Sequence, residues 1–174
     1  MKGAIVNCLK EMIVSRFGQS KWNEIMVASG QRPEMIIMAT SDFEDAIVVK
    51  MVENACKILN ITLEEITDYF GDYWMNTYAV SVYKPYYGSN ASAKDFFIRL
   101  NDIHTKVTKF VTNARPPKFE FEWKSDDLLI LSYISSRGLI DFVVGLAKGV
   151  GSYFNQPLAV RKLSSTRVEI KFLS

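Results

Sequence analysis

The sequence predicts an α+β fold, in which a helical amino-terminal part packs on a carboxy-terminal part of antiparallel sheet and helix. Three observations carry this reading. Apolar residues recur at helical spacing through most of residues 1–82. The texture changes after Pro116-Pro117: Phe119, Phe121 and Trp123 alternate with Glu120, Glu122 and Lys124, as in a half-buried strand. Two short runs near the end, Ala159 to Leu163 and Arg167 to Phe172, read as a closing hairpin. All 174 residues are assigned to one domain, helical to about residue 82 and α+β from about residue 83.

The elements follow in order. Ile5, Cys8, Leu9, Met12, Ile13 and Phe17 share one face of a helix over residues 2–17, ended by Gly18. A shorter helix covers Lys21 to Ala28 and is stopped by Ser29-Gly30 and Pro33. Ser41 or Asp42 is expected to cap a helix running to about Leu59. Thr62-Leu63-Glu64-Glu65 is a capping box, opening a helix that runs to about Tyr78. Tyr83 to Asn90, with Pro85 and Gly88, reads as a loop. Phe97, Leu100, His104, Val107 and Val111 mark a helix over Lys94 to Val111. Arg115-Pro116-Pro117 stops it, because proline cannot continue the helical ladder. Ser125-Asp126-Asp127 is a turn, and Leu128-Leu129-Ile130-Leu131-Ser132 suits a buried strand. Leu139 to Phe154 is an apolar helix whose Gly145, Gly149 and Gly151 admit close approach by another element.

Composition narrows the function. Hydrophobic residues at 48% and aromatics at 13% indicate a folded globule. A net charge of +2 gives no electrostatic case for nucleic acid. The halves differ, with eight Lys/Arg against eleven Asp/Glu in residues 1–87 and thirteen against eight in residues 88–174, which favours an anionic ligand in the second half. Cys8 and Cys56 occupy apolar helix positions and read as structural thiols. The opening residues do not form a signal peptide and no apolar run reaches the length of a membrane span, so a cytoplasmic setting without membrane insertion is expected.

Two features point to a ligand. The only histidine, His104, is aimed at an apolar interior. The pentapeptide Tyr133-Ile134-Ser135-Ser136-Arg137 ends the buried strand, and in an extended chain Tyr133, Ser135 and Arg137 share a face. They would span roughly 13 Å at about 3.3 Å per residue. Two hydroxyls and a guanidinium in a row bind carboxylates. An imidazole facing an apolar space and a row of carboxylate binders together suggest haem, with iron on one side and propionates on the other. Each feature also has an ordinary reading, as a core histidine or an edge strand.

The Met1-Lys2-Gly3 opening, the His104 helix, Pro116-Pro117, Tyr133-x-Ser135-x-Arg137 and Gly145-Leu146 together resemble the haem nitric-oxide/oxygen-binding family, H-NOX, over essentially the whole chain. The relatives implied are bacterial stand-alone members akin to the haem domain of soluble guanylate cyclase. The resemblance implies haem b lying between the two parts, with His104 as the proximal iron ligand. Tyr133, Ser135 and Arg137 would hold the propionates, Pro117 would distort the haem, and Ile5 would lie against it. Asp45 matches a carboxylate that can pair with Arg137, and equally suits a helix start.

Phe142, five residues after Arg137, stands where dioxygen-binding members carry a tyrosine. A phenyl ring donates no hydrogen bond, so the resemblance implies an NO-selective pocket, open also to CO, formed with Leu146 and Tyr78. The expected function is that of a monomeric NO sensor without catalysis, in which NO weakens the bond to His104. Its output would reach in trans a histidine kinase, a cyclic-di-GMP enzyme or a chemotaxis receptor. Tyr78 leaves two alternatives open: a core aromatic, or a distal donor that would make a dioxygen or redox sensor. A haem enzyme is disfavoured, because no second histidine is available as a distal base. A haem-free binding module is the remaining rival.

Overall fold

The computed structural model describes residues 1–87 and 92–173. Its helices are α1 Gly3–Phe17, α2 Gln19–Ala28, α3 Asp45–Leu59, α4 Leu63–Tyr73, α5 Ala79–Val82, α6 Lys84–Tyr87, α7 Ala93–Thr108 and α8 Ile140–Tyr153. Strands β1 Lys118–Ser125, β2 Leu128–Ile134, β3 Leu158–Lys162 and β4 Arg167–Phe172 form one sheet in the order β1-β2-β4-β3, antiparallel throughout. The α+β organisation is as the sequence predicts. Among the described residues no helix is long and apolar enough to cross a membrane.

Local chemistry explains most boundaries. Thr62 and Glu65 form the expected capping box, each side chain bonding the other's backbone N–H, an arrangement worth about 1 kcal/mol. Ser92 caps α7 by accepting from the Asp95 N–H at 3.1 Å. Phe119 is buried while Glu120, Glu122 and Lys124 are exposed, so β1 has the alternation read from its sequence.

Several boundaries differ from expectation. Neither Ser41 nor Asp42 caps α3; Asp42 pairs with Lys2 at 2.6 Å, and the helix starts at Asp45. The helix expected to reach Tyr78 changes to a π-helical turn over Trp74–Tyr78. The loop expected over Tyr83 to Asn90 contains α6, with Pro85 in its first turn, where proline is tolerated; residues 88–90 of that loop lie outside the described residues. The His104 helix ends at Thr108 rather than Val111 and passes into tight turns through Ala114.

Two apolar cores result. One gathers α1, α2, α3 and α4, with Leu9, Met12, Trp22, Ile25 and Phe70 buried. The other lies between the sheet, α7 and α8, with Phe97, Phe119, Leu129, Leu131 and Val168 buried. Trp74 and Tyr83 pack against both. The cores are joined chiefly by α4 and α8, whose backbones touch. A Cβ on Gly145 would stand 2.0 Å from the Thr67 carbonyl oxygen, and one on Gly71 would stand 2.0 Å from that of Gly145. Only glycine permits this contact. The close approach expected at Gly145 and Gly149 is therefore met by α4, while Gly151 abuts Gln156 and Leu158. Lys148 fastens the rim of the contact, donating to Asp68 at 2.7 Å and Glu64 at 3.2 Å.

Candidate functional site

His104 is half-buried on α7, and its ring lies 5.8 Å from that of Phe119 on β1. Strand pairing sets Phe119 opposite Tyr133 on β2, with ring centroids 6.0 Å apart. The histidine and the start of the signature are thus brought together through one intervening ring. Burial depresses the His104 pKa, and a hydrogen bond to the Pro117 backbone opposes that shift. The Nδ1–Pro117 carbonyl distance is 3.3 Å. A carbonyl can only accept, so Nδ1 carries the proton and Nε2 presents a lone pair.

Asn101, one turn before His104, is a positioning residue that the sequence alone does not reveal. Its Nδ2 donates to the Phe119 carbonyl at 2.7 Å, and its Oδ1 accepts from the Phe119 N–H at 3.0 Å. This two-point clamp fixes α7 on the start of β1, one helical turn from His104. Its only sequence signal was an amide three residues from the histidine on an otherwise amphipathic helix.

The signature departs from the extended geometry expected of it. β2 ends at Ile134, whose partner Lys118 is the first residue of β1. With no strand left to pair, the chain turns: the Arg137 N–H donates to Ser135 Oγ at 3.3 Å, and Gly138 adopts φ +66°. Tyr133 is buried, whereas Ser135 and Arg137 are half-buried in the turn, so the three do not form one straight row. Arg137 donates from Nε to Asp45 Oδ2 at 2.9 Å and from Nη1 to the Arg115 carbonyl at 2.7 Å. Asp45 thus fills both positions read for it, as salt-bridge partner and in the first turn of α3. An open depression of about 480 Å³ adjoins the signature, lined by Ser132, Tyr133, Ile134, Ser135, Ser136 and Thr166. Its hydroxyls suit a polar or anionic group.

Ile5, Tyr78, Phe142 and Leu146 gather at the amino-terminal core. Phe142 meets Phe70 edge-on at 5.1 Å, Phe70 stacks on Trp74 at 5.8 Å, and Trp74 stacks on Tyr78 at 5.4 Å. Tyr78 is buried, which pushes its phenol up to about 12, while a side-chain hydrogen bond with Asn7 of α1 pulls the other way. Ile5, Phe142 and Leu146 stay half-covered on this core, as do Leu100, Val107 and Leu139 on the other.

The Haem-NO-binding family pattern matches residues 2–162. The chain belongs to this family. It is a haem-binding gas-sensor domain of the H-NOX type, related to soluble guanylate cyclase. Soluble guanylate cyclase gcy-32 of Caenorhabditis elegans is 23% identical over 155 residues; the match covers 86% of this chain and 22% of that protein, so the chain spans about a fifth of the relative's length. Among solved structures, an H-NOX protein from S. oneidensis in the Fe(II)NO ligation state superposes with a TM-score of 0.89, at 20% identity and with 100% of both chains covered. An oxygen-binding H-NOX domain in its oxygen complex superposes with a TM-score of 0.83, at 21% identity, covering 100% of this chain and 96% of that one. These likenesses establish a shared H-NOX fold.

Proposed function

We propose that this H-NOX domain is an NO-selective sensor whose haem is held through His104 and whose output acts on a separate signalling protein. The observation that carries the proposal is the His104–Pro117 contact: with Nδ1–H directed at the Pro117 carbonyl, the half-buried imidazole keeps the Nε2 lone pair for a metal. The residues present fit haem b. Half-covered apolar side chains on both cores are what a flat apolar group would cover, and Arg137 retains Nη2 for a propionate beside the hydroxyls of Tyr133 and Ser135. Ferrous haem, when bound, supplies an iron that takes diatomic gases.

The protein's part is to hold, select and transmit. Pro117 orients the imidazole through its carbonyl, and its rigid ring would distort a haem held by His104. Ile5, Phe142 and Leu146 offer a bound gas no hydrogen-bond donor, which disfavours dioxygen, whose bound form is polar, and leaves NO and CO. Tyr78 is buried in the amino-terminal core and stacked on Trp74, which supports its reading as a core aromatic. A change in the pull on His104 would pass through Nδ1–H to Pro117 and through the Asn101 clamp to β1. A histidine kinase, a cyclic-di-GMP enzyme or a chemotaxis receptor is the class of partner proposed.

The test is the absorption spectrum of protein reduced without oxygen, then opened to air, with an NO-treated sample alongside. The expected result is one five-coordinate ferrous band, unchanged in air except for slow oxidation and shifted by NO. Loss of that band in His104→Ala, and its recovery on adding imidazole, is the companion result. An air-stable new spectrum would refute NO selectivity; an unchanged His104→Ala spectrum would refute the ligand assignment.

A further inference from the structure

The turn after α7 joins the candidate site to a surface of unusual composition. From Ile103 to Lys118 the chain carries four bases, Lys106, Lys109, Arg115 and Lys118, and no acidic residue. All four are exposed. Lys106 pairs with Asp102 at 2.7 Å, whereas Lys109, Arg115 and Lys118 form no ion pair among the described residues. Phe110, within this segment, is 89% exposed, with the Lys109 ammonium 5.3 Å from its ring centroid. An aromatic ring this exposed gives up about 2 kcal/mol or more of available burial, so its place beside a cation suggests a contact surface.

The same turn is wired to both halves of the site. The Pro117 carbonyl accepts from His104, and the Arg115 carbonyl accepts from Arg137. A displacement of either side chain would therefore pull on the backbone that carries these bases. Resting on the proposed function, we infer that Lys106 to Lys118 is the output surface, and that it docks an acidic protein segment with an apolar side chain that packs on Phe110.

Charge complementarity sets the partner. The cluster needs carboxylates, and aromatic and Arg side chains are the usual anchors of protein interfaces. A protein segment is favoured over an anionic bilayer because the ring has a cation against its face. Inserting Phe110 among acyl chains would drag the Lys109 ammonium out of water, whereas at a protein rim a carboxylate can meet it. One aromatic with a few bases is also a weak membrane anchor.

The experiment uses the whole chain, haem-loaded and haem-free, with a fluorescent twelve-residue peptide of glutamate and leucine as the probe, read by anisotropy. The expected result is binding that falls with salt and weakens at least tenfold in Phe110→Ala and in Lys109→Glu. A peptide of lysine and leucine should not bind. In the loaded protein, affinity should differ at least threefold between the reduced and NO-treated states. Equal binding by wild type and both variants would overturn the surface, as would stronger retention on phosphatidylcholine–phosphatidylserine vesicles than by the peptide. Affinity unmoved by NO in loaded protein would overturn the coupling. Failure to take up haem would defeat the proposed function instead, and the variants of the haem-free protein would still decide the surface.

Discussion

Arg137 reaches back 92 residues in sequence to Asp45, donating from Nε to Oδ2 at 2.9 Å. The bond ties the signature turn of the carboxy-terminal part to the first turn of α3 in the amino-terminal part. It also aims the guanidinium, since Nη1 is held by the Arg115 carbonyl. Asp45 is 42% exposed, so the pair contributes only about 1 kcal/mol to stability. Its larger effect is on position. Asp45→Ala should leave the melting temperature within a few degrees of wild type yet speed haem loss to an acceptor globin by about tenfold, on the scale of one charge-assisted hydrogen bond. An unchanged transfer rate would show that Asp45 does not organise Arg137.

The same carboxylate gives a pH dependence. Burial pushes the Asp45 carboxyl up, but the hydrogen bond from the Met1 ammonium and the charge of Arg137 outweigh it and hold it below the usual carboxylate range. Between the native and unfolded values the unfolded chain binds more protons, so stability rises with pH there. The contribution is complete above about pH 3.9 and is lost as pH falls through the lower native value. Denaturation of wild type and Asp45→Asn, compared from pH 3 to 7 in urea, should show a difference that is constant near neutrality and shrinks in acid.

Asn101 sets where His104 sits. Asn101→Ala removes two hydrogen bonds and leaves the Phe119 N–H and carbonyl without them, costing about 2–3 kcal/mol. A purely structural role would change stability alone. A positioning role should also shift the iron–histidine stretching frequency in the ferrous resonance Raman spectrum, and Asn101→Asp, which keeps one acceptor, should fall between.

Much of this arrangement was legible in the residues. The period that placed His104 on an apolar face, the Thr62–Glu65 box and the alternation through Phe119 to Trp123 are local signals, and each gave its element. What escaped depends on partners distant in sequence. The turn at Ser135–Arg137 follows from β1 having no residue left to pair, which the extended reading of the pentapeptide could not include. Asn101 looked like a polar position on an amphipathic helix until Phe119 was folded against it. The cap of α3 was misplaced because Asp42, a good capping residue, is taken by Lys2. The π-helical turn at Trp74–Tyr78 has no compositional mark; the stacked series Phe70, Trp74 and Tyr78 occurs at ordinary helical spacing.

Gly145 decides whether the two parts can meet. A methyl group there would lie 2.0 Å from the Thr67 carbonyl oxygen and 2.5 Å from its carbon, which is backbone and cannot rotate aside. Gly145→Ala should therefore push α8 off α4 and destabilise by at least about 3 kcal/mol, beyond the usual cost of overpacking. Urea unfolding by circular dichroism reads this directly. Gly138→Ala, in a turn where no atom lies within 4 Å but φ is +66°, should cost only about 1 kcal/mol. Equal effects at the two positions would remove the argument from backbone contact.

Under the proposed function, gas selectivity would rest on Phe142. Its ring is half-exposed and meets Phe70 edge-on at 5.1 Å, so a hydroxyl added at the para position has room that a fully buried ring would lack. Phe142→Tyr supplies the missing donor. One hydrogen bond to a polar ligand in an apolar pocket is worth about 1–2 kcal/mol, a gain in dioxygen affinity of roughly tenfold. Opening the reduced variant to air should therefore produce a new spectrum that wild type does not give. Tyr78→Phe is the contrasting variant. Tyr78 is buried in the amino-terminal core, so loss of its hydroxyl should change stability by no more than about 1 kcal/mol and leave gas binding unchanged. If Tyr78→Phe altered the response to air while Phe142→Tyr did not, the donor that governs dioxygen would be Tyr78, and the pocket would face the π-helical turn rather than α8.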